Sequence, residues 1–278
     1  MRRRLDAELV RRGLARSRAH AAELIESGQV AVRGVGATKP ASQVDVADAI
    51  TVASAGGREW VSRGALKLAG ALDLLDASAG HGPLIPGRRC LDAGASTGGF
   101  TEVLLDRGAA QVVAVDVGYG QLAWSLRSDP RVAVHDRTNA RDLTLDLIGA
   151  PVDLIVADLS FISLVLVLPA FHRVLVAGGD VLCMVKPQFE VGRGLVGKGG
   201  VVTDPVLRAD AVIHVIAQAA EHALSLQAVV ASPLPGPAGN VEYFTWLADR
   251  PGTASEQWDD AVAAAVAAGP AGRLAQRA

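Results

Sequence analysis

The chain has two cysteines in 278 residues, Cys90 and Cys183, and both lie inside apolar runs. Thiols so placed give no disulfide framework and no zinc-binding spacing, and they fit a reducing compartment. Long apolar runs are missing as well. The most apolar segment, "FISLVLVLPAF", reaches about half a membrane span before His172 and Arg173 interrupt it. Behind the arginines of "MRRRLDAELV" there is no apolar core, so no secretory signal is read there. No internal repeat is visible. These absences point to a cytoplasmic chain with no metal, no membrane partner and no obligate protein partner.

What remains is an ordinary globular composition, half apolar and one fifth charged, long enough for a large domain and a small one. The net charge of −2 is unevenly spread. Residues 1–40 carry nine Lys/Arg against four Asp/Glu, a balance of +5, which leaves −7 for the rest. A basic head on an acidic body suits either an anionic partner or a merely solvated helix face.

The head, "RLDAELVRRGLARSRAHAAELIESGQV", reads as two helices parted by Gly13, the second capped by Ser17 and stopped by Gly28. "QVAVRG" and "DAITVA" alternate like short strands. Residues 1–57 thus form a small α+β domain, and residues 58–61 a linker. From Ser62 to residue 250 apolar runs alternate with helical stretches, beginning with the helix "SRGALKLAGALDLLDA" and the strand "RRCLDAG". That alternation predicts an α/β domain, a Rossmann-like and mostly parallel sheet covered on both faces, with an antiparallel hairpin strand at its edge. Residues 251–278 are an alanine-rich extension.

The stretch "CLDAGASTGGF" follows the first strand of that sheet with little but small residues. A glycine loop between the first strand and the next helix is where such sheets bind nucleotides. Dinucleotide enzymes use G-x-G-x-x-G, and this loop lacks the second glycine. Its strand also ends in Asp92, which would repel a pyrophosphate and attract a cation. S-adenosylmethionine, with an ammonium and a sulfonium, is such a ligand. The expected donor site comprises Asp92, Gly94, Ser96, Thr97, Gly98, Gly99 and Phe100. Asp116, 22 residues past Gly94, is placed for the ribose hydroxyls, and Asp136 for the adenine amino group. The competing reading is that each aspartate only caps a helix.

Four further polar residues stand out: Lys67 on the helix before the sheet, Asp158 and Lys186 at strand ends, and Glu242 opening the last strand. Taken singly, a lysine at a strand exit is as well explained by solvation. The acceptor is narrowed by chemistry. Base-amine methylation uses an Asn/Asp-Pro-Pro-Tyr/Phe loop where this chain has "DLSF", and pyrimidine-carbon methylation needs an exposed nucleophilic cysteine. A ribose hydroxyl instead needs a base or an electrostatic guide, which a lysine flanked by carboxylates can provide.

Together, "VSRGALKL", "DAGASTGGFTEVLL", "VDVGYGQL", "ADLSFISL", "VKPQFEVG" and "SPLPGPAGNVEYF" resemble the TlyA-type rRNA methyltransferases over roughly residues 1–250. The resemblance implies a class I methyltransferase domain similar to the FtsJ/RrmJ ribose methyltransferases, behind an RNA-binding domain like that of the small-subunit ribosomal protein S-four. It implies a Lys-Asp-Lys-Glu catalytic tetrad, which falls on Lys67, Asp158, Lys186 and Glu242. It also implies cytidine 2′-O-methylation of ribosomal RNA, in the 50S subunit and, for the longer members this chain resembles, in the 30S subunit. Arg4, Arg18 and Lys39 are the expected phosphate contacts of the head. Phe161 and Phe189 are read as base-stacking or core residues, and Trp60 as a tryptophan between the domains or in a core. Two other readings stand beside this one: a membrane-active haemolysin, a name some relatives carry, and a non-catalytic RNA-binding assembly factor.

Overall fold

Gly13, at φ +71°, and Ser17, whose Oγ accepts from the His20 N–H at 3.1 Å, divide the basic head into two helices. The order is β1 (Arg2–Arg4), α1 (Leu5–Arg11), α2 (Arg18–Glu26), β2 (Val30–Val32), β3 (Val35–Gly36), β4 (Gln43–Asp45) and β5 (Ile50–Val52). β1 pairs antiparallel with β4, and β2 lies between β3 and β5. Leu5 and Leu9 of α1 and Ala21 and Ile25 of α2 recur one helical turn apart, and they close over Val30, Val44 and Ile50. The computed structural model describes residues 2–15, 17–26, 29–33, 35–37, 39–45, 48–52 and 60–270. The stop expected at Gly28 and the first half of the linker therefore lie outside the described residues. The chain divides into two units, Met1–Glu59 and Trp60–Ala278.

The second unit runs α3 (Arg63–Ala79), β6 (Arg89–Ala93), α4 (Gly99–Asp106), β7 (Gln111–Val115), α5 (Trp124–Arg127), β8 (Val132–His135), α6 (Leu145–Ile148), β9 (Val152–Ala157), α7 (Leu168–Val174) and β10 (Leu175–Val185). α8 (Pro187–Glu190), α9 (Pro205–Ala220), β11 (Ser225–Ala231), β12 (Tyr243–Ala248) and α10 (Trp258–Ala268) complete it. Its seven strands lie in the order β11-β12-β10-β9-β6-β7-β8. β6 to β10 are mutually parallel, and β12 is antiparallel to both β10 and β11. The final hairpin thus sits at the sheet edge, with its antiparallel strand inserted inside β11.

Successive strand residues serve opposite faces. Val113, Val115, Ile155 and Cys183 pack under α7, α9 and α10, while Val112, Ala114, Leu154, Val156 and Met184 pack under α3 and α4. Trp60 is partly buried against the α3–α4 side of this core. This two-sided burial is why the strands read as unbroken apolar runs. It also brings the residues that follow the parallel strands to one edge of the sheet. Asp116, Asp136, Asp158 and Lys186 each come directly after the last residue of β7, β8, β9 and β10. The connections reverse direction between β6 and β9, and that switch point opens the ligand crevice of such sheets.

Candidate active site

The loop after β6 turns through Gly94 at φ +86°, Ser96 at φ +48° and Gly98 at φ +102°, a series that side chains other than glycine seldom adopt. The reason for the glycines is partly internal. A Cβ on Gly94 would strike the Asp158 carbonyl, one on Gly98 would strike Leu122 and Leu126, and one on Gly99 would strike Ser62 and Ala65. Gly98 therefore admits α5 to the loop, where ligand approach alone was the expected cause. Phe100 also differs from expectation. Its ring is buried in the core 6.0 Å from Phe244, so only its backbone can belong to the donor loop. Thr97 is exposed, and its carbonyl accepts from the Ala123 N–H at 3.1 Å.

Three aspartates surround this loop in different states. Asp92 is fully buried; its Oδ2 accepts from Thr101 Oγ1 at 2.7 Å, and its Oδ1 has no partner among the described residues. Burial, with the nearby charges of Asp158 and Asp116 adding to it, pushes its carboxyl up to about 7. A buried, half-satisfied carboxylate is costly unless a cation or donor meets it. This is the fit expected for the ammonium of S-adenosylmethionine. Asp116 accepts from the Ser96 N–H at 2.7 Å and the Gly118 N–H at 2.6 Å, and each oxygen keeps a lone pair for a hydroxyl. Asp136 pairs with Arg127 at 2.6 Å, which holds its carboxyl below the usual range. The adenine contact expected of it would compete with that guanidinium.

The four remaining candidates form two lysine–carboxylate pairs. Lys67, 7% exposed, reaches Glu242, 2% exposed, at 2.5 Å. Pro233 packs on Gly70, one turn along α3 from Lys67, and the missing side chain lets helix and loop approach that closely. Lys186, 8% exposed, meets Asp158 Oδ1 at 2.7 Å and donates to Ser160 Oγ at 2.8 Å. The hydrogen bond goes to Ser160 alone; the Asp158 oxygen, buried and close, pairs with the ammonium by charge without accepting an aligned hydrogen bond.

Ser160 is a site residue that sequence reasoning missed, although it stands two positions after Asp158. Asn240 is another. It is buried, accepts from the Val202 N–H at 2.9 Å and donates to the Gly200 carbonyl at 2.8 Å. It thereby ties the glycine-rich loop before α9 to the turn that carries Glu242. Phe161 is 91% exposed at φ +64°, its ring 5.3 Å from that of Phe189, so neither it nor the half-buried Phe189 belongs to the core. The two thiols are unsuited to nucleophilic work: burial pushes Cys90 up to about 12 and Cys183 up to about 11.

In the head, Arg4 and Arg18 both reach the buried Asp6 at 2.9 Å, and Lys39 is exposed. The Arg4 hydrogen bond holds the Asp6 carboxyl well below its ordinary range, against the opposing effect of burial.

The FtsJ-like methyltransferase family matches residues 60–249, and the S4 domain family matches residues 3–50. A 16S/23S rRNA (cytidine-2′-O)-methyltransferase TlyA from Mycobacterium tuberculosis is 59% identical over 269 residues, covering 96% of this chain and 98% of the relative. Hemolysin A from Brachyspira hyodysenteriae is 36% identical, covering 87% of this chain and 98% of the relative. The solved structure of a candidate hemolysin from Streptococcus thermophilus superposes with a TM-score of 0.72 at 35% identity, covering 95% of each chain. No helix among the described residues is long and apolar enough to cross a membrane. The chain belongs to the FtsJ-like methyltransferase family, in its TlyA-type branch with an N-terminal S4 domain, and its methyl donor is S-adenosylmethionine.

Proposed function

We propose that the chain methylates the 2′-hydroxyl of a cytidine in ribosomal RNA, acting in the cytoplasm on RNA of both the 50S and the 30S subunit. The observation that carries this reading is two lysine–carboxylate pairs, Lys186–Asp158 at the ends of β10 and β9 and Lys67–Glu242 at the start of β12, whose Tyr243 pairs with Val185, in a sheet whose glycine loop has a half-satisfied buried aspartate behind it. Its support from relatives is the name of the 59% identical TlyA, which gives that activity on both RNAs.

When bound, the donor supplies an electrophilic methyl group. Asp92 and the loop from Gly94 to Gly99 would hold its ammonium end, and Asp116 its ribose. The acceptor needs more from the protein, because a ribose hydroxyl barely ionises at neutral pH. Lys186, hydrogen-bonded to Ser160 and paired by charge with Asp158, has N–H capacity left to donate to the 2′-oxygen and fix it in place. As an ion pair with Asp158 the lysine is a hydrogen-bond donor. To accept the hydroxyl proton it must first lose one, so a base role carries a pH-dependent limb that a guiding role lacks. Lys67 and Glu242 neutralise one another in the buried wall of the site. Phe161 offers an exposed ring for a base splayed out of its stack. Arg4, Arg18 and Lys39 position the RNA through its phosphates.

Mass mapping of ribose methylation, on separated 50S and 30S subunits treated with the pure protein and donor, tests the reading. A new 2′-O-methylcytidine in each subunit is the expected result. Methylation on a base, or none with a folded and donor-bound enzyme, would sink it.

A further inference from the structure

Helix α8 is a single turn, yet it grips the loop after β9 from both ends. At its N-terminal end Lys186 holds Asp158 and Ser160. At its C-terminal end the Glu190 carboxylate takes two bonds from the far side of the same loop. Oε2 accepts from Ser163 Oγ at 2.6 Å, and Oε1 accepts from the Leu164 N–H at 2.9 Å. Between these grips lies Phe161, in a left-handed backbone conformation, with its ring against Phe189 of α8.

We propose that Glu190 is a positioning residue for methyl transfer: by clamping Ser163 and Leu164 it fixes the loop that presents Asp158, Ser160 and Phe161 to Lys186 and to the acceptor nucleotide.

The loop needs such a clamp. Residue 161 at positive φ is strained for any side chain but glycine, and an exposed phenylalanine supplies no burial to offset the strain. The bonds to Glu190 are made to a carboxylate, the stronger class of hydrogen bond, and they satisfy the first backbone donor of the short turn that begins at Leu164. Glu190 is itself largely withdrawn from water, and that burial pushes its carboxyl above the ordinary glutamate range. The Ser163 hydroxyl and the Leu164 N–H act against that rise, so the two partners support the charged form. Without the clamp α8 holds the loop only at Asp158 and Ser160, the apolar packing of Leu159, Ile162 and Leu164 fixes no polar atom, and Ser160 Oγ is less firmly placed beside Lys186. Methyl transfer is sensitive to that placement, since a displacement of about 1 Å can cost about 10²-fold.

The proposal rests on methyl transfer at the Lys186 pair, and wild-type activity in the same assay secures that reading separately. The test is single-turnover methylation of ribosomal subunits at saturating donor and enzyme, with donor affinity measured by calorimetry. Glu190→Ala should lose rate by about 10-fold or more, with donor affinity unchanged within about twofold. Ser163→Ala should lose less, and the double variant should lose less than the product of the two single losses, because both remove the Ser163–Glu190 bond while Ser163→Ala removes in addition only its cap on the Val165 N–H. Glu190→Gln, which keeps one acceptor oxygen, should fall between the wild type and Glu190→Ala. Full rate in a folded Glu190→Ala would overturn the proposal, as would a loss matched by an equal loss of donor binding. If Glu190→Ala does not fold, Ser163→Ala and Glu190→Gln decide: reduced rates at unchanged donor affinity uphold the clamp, and wild-type rates in both refute it.

Discussion

In the N-terminal unit the paired carboxylates Asp6, Glu8 and Asp48 are largely withdrawn from water, while Arg4, Arg11, Arg18 and Arg33 stand in it. Asp6 holds Arg4 and Arg18, Glu8 holds Arg11 and Arg12, and Asp48 holds Arg33, while Arg18 remains 60% exposed. In the catalytic unit the lysines are buried too, Lys67 with Glu242 and Lys186 with Asp158 and Ser160. The same ionic chemistry is thus put to two uses. At Arg4 and Arg18 a guanidinium held from behind by Asp6 faces solvent with donors to spare for a large anion, at little cost in desolvation. An ammonium taken out of water is expensive on its own and becomes tolerable only with its partner in place. The first arrangement suits a surface that grips RNA. The second suits a site that must present one nitrogen to one oxygen.

The sharpest way to break this contrast is at Lys186. Lys186→Ala should lower single-turnover methyl transfer by about 10²-fold to 10⁴-fold, with donor binding by calorimetry nearly unchanged. Lys186→Arg separates guide from base, because a guanidinium can donate to the 2′-oxygen but cannot take its proton. An active arginine variant whose rate stays flat with pH would assign Lys186 to guiding alone. A dead arginine variant, beside a wild-type rate that climbs with pH, would assign it to proton transfer.

The second test is thermodynamic. Glu242→Ala strands a buried ammonium and should cost about 3–5 kcal/mol of stability by denaturant titration. The double variant Lys67→Met with Glu242→Leu should recover most of that loss while remaining inactive, since an apolar pair of similar size removes the stranded charge. If the single variant is as stable as the wild type, the pair is wetter than its burial indicates. The distinction drawn between the two units would then fail.

The third test concerns Asp92, whose carboxyl is lifted by burial to about 7 from 3.8. Above that pH it is an anion and attracts the donor ammonium; below it is neutral. Donor affinity should therefore rise about tenfold between about pH 6 and pH 8, and Asp92→Asn should flatten that rise. For folding the same shift has the opposite sense. Between about pH 4 and pH 7 the native Asp92 holds a proton that the unfolded chain has lost, so its contribution to stability declines as pH rises through that window. A donor affinity that is flat in the wild type would separate Asp92 from the ammonium.

These tests fall on residues whose positions were legible to different degrees in the sequence. The sheet was legible because strands buried on both faces leave continuous apolar runs, and polar residues at their ends show where the edge lies. Asp116, Asp158 and Lys186 emerged in this way. What stayed hidden was the partnering. Lys67 and Glu242 are 175 residues apart, and nothing local in either segment specifies the other. Asp136 reads as a free carboxylate until α5 brings Arg127 against it. Gly98 reads as a ligand contact until Leu122 and Leu126 fill the space beside it. In the head, β1 and β4 are only three residues each, too short for an alternating pattern to register. Ser160 and Asn240 lie on connecting segments and Glu190 ends the single-turn helix α8, stretches too short for any periodicity to mark a polar side chain with a structural task.

The mildest change belongs to the exposed cations. Arg18→Ala with Lys39→Ala leaves Arg4 on Asp6, so the buried carboxylate keeps a partner and the unit should stay folded. Each lost phosphate contact should lower the slope of log affinity against log salt by about 0.7–0.9, or on the order of 1.5 for the pair. Binding to ribosomal subunits should weaken several-fold at moderate salt and converge on the wild type as salt rises. Methyl transfer at saturating subunit should hardly change, because neither residue belongs to the catalytic unit. Binding isotherms at a series of salt concentrations measure the slope, and the single-turnover assay measures the rate. A variant with an unchanged slope would mean that these two cations serve no phosphate. A variant with normal affinity but slowed transfer would mean that the basic head orients the RNA within the site, and the division between gripping and chemistry would have to be redrawn.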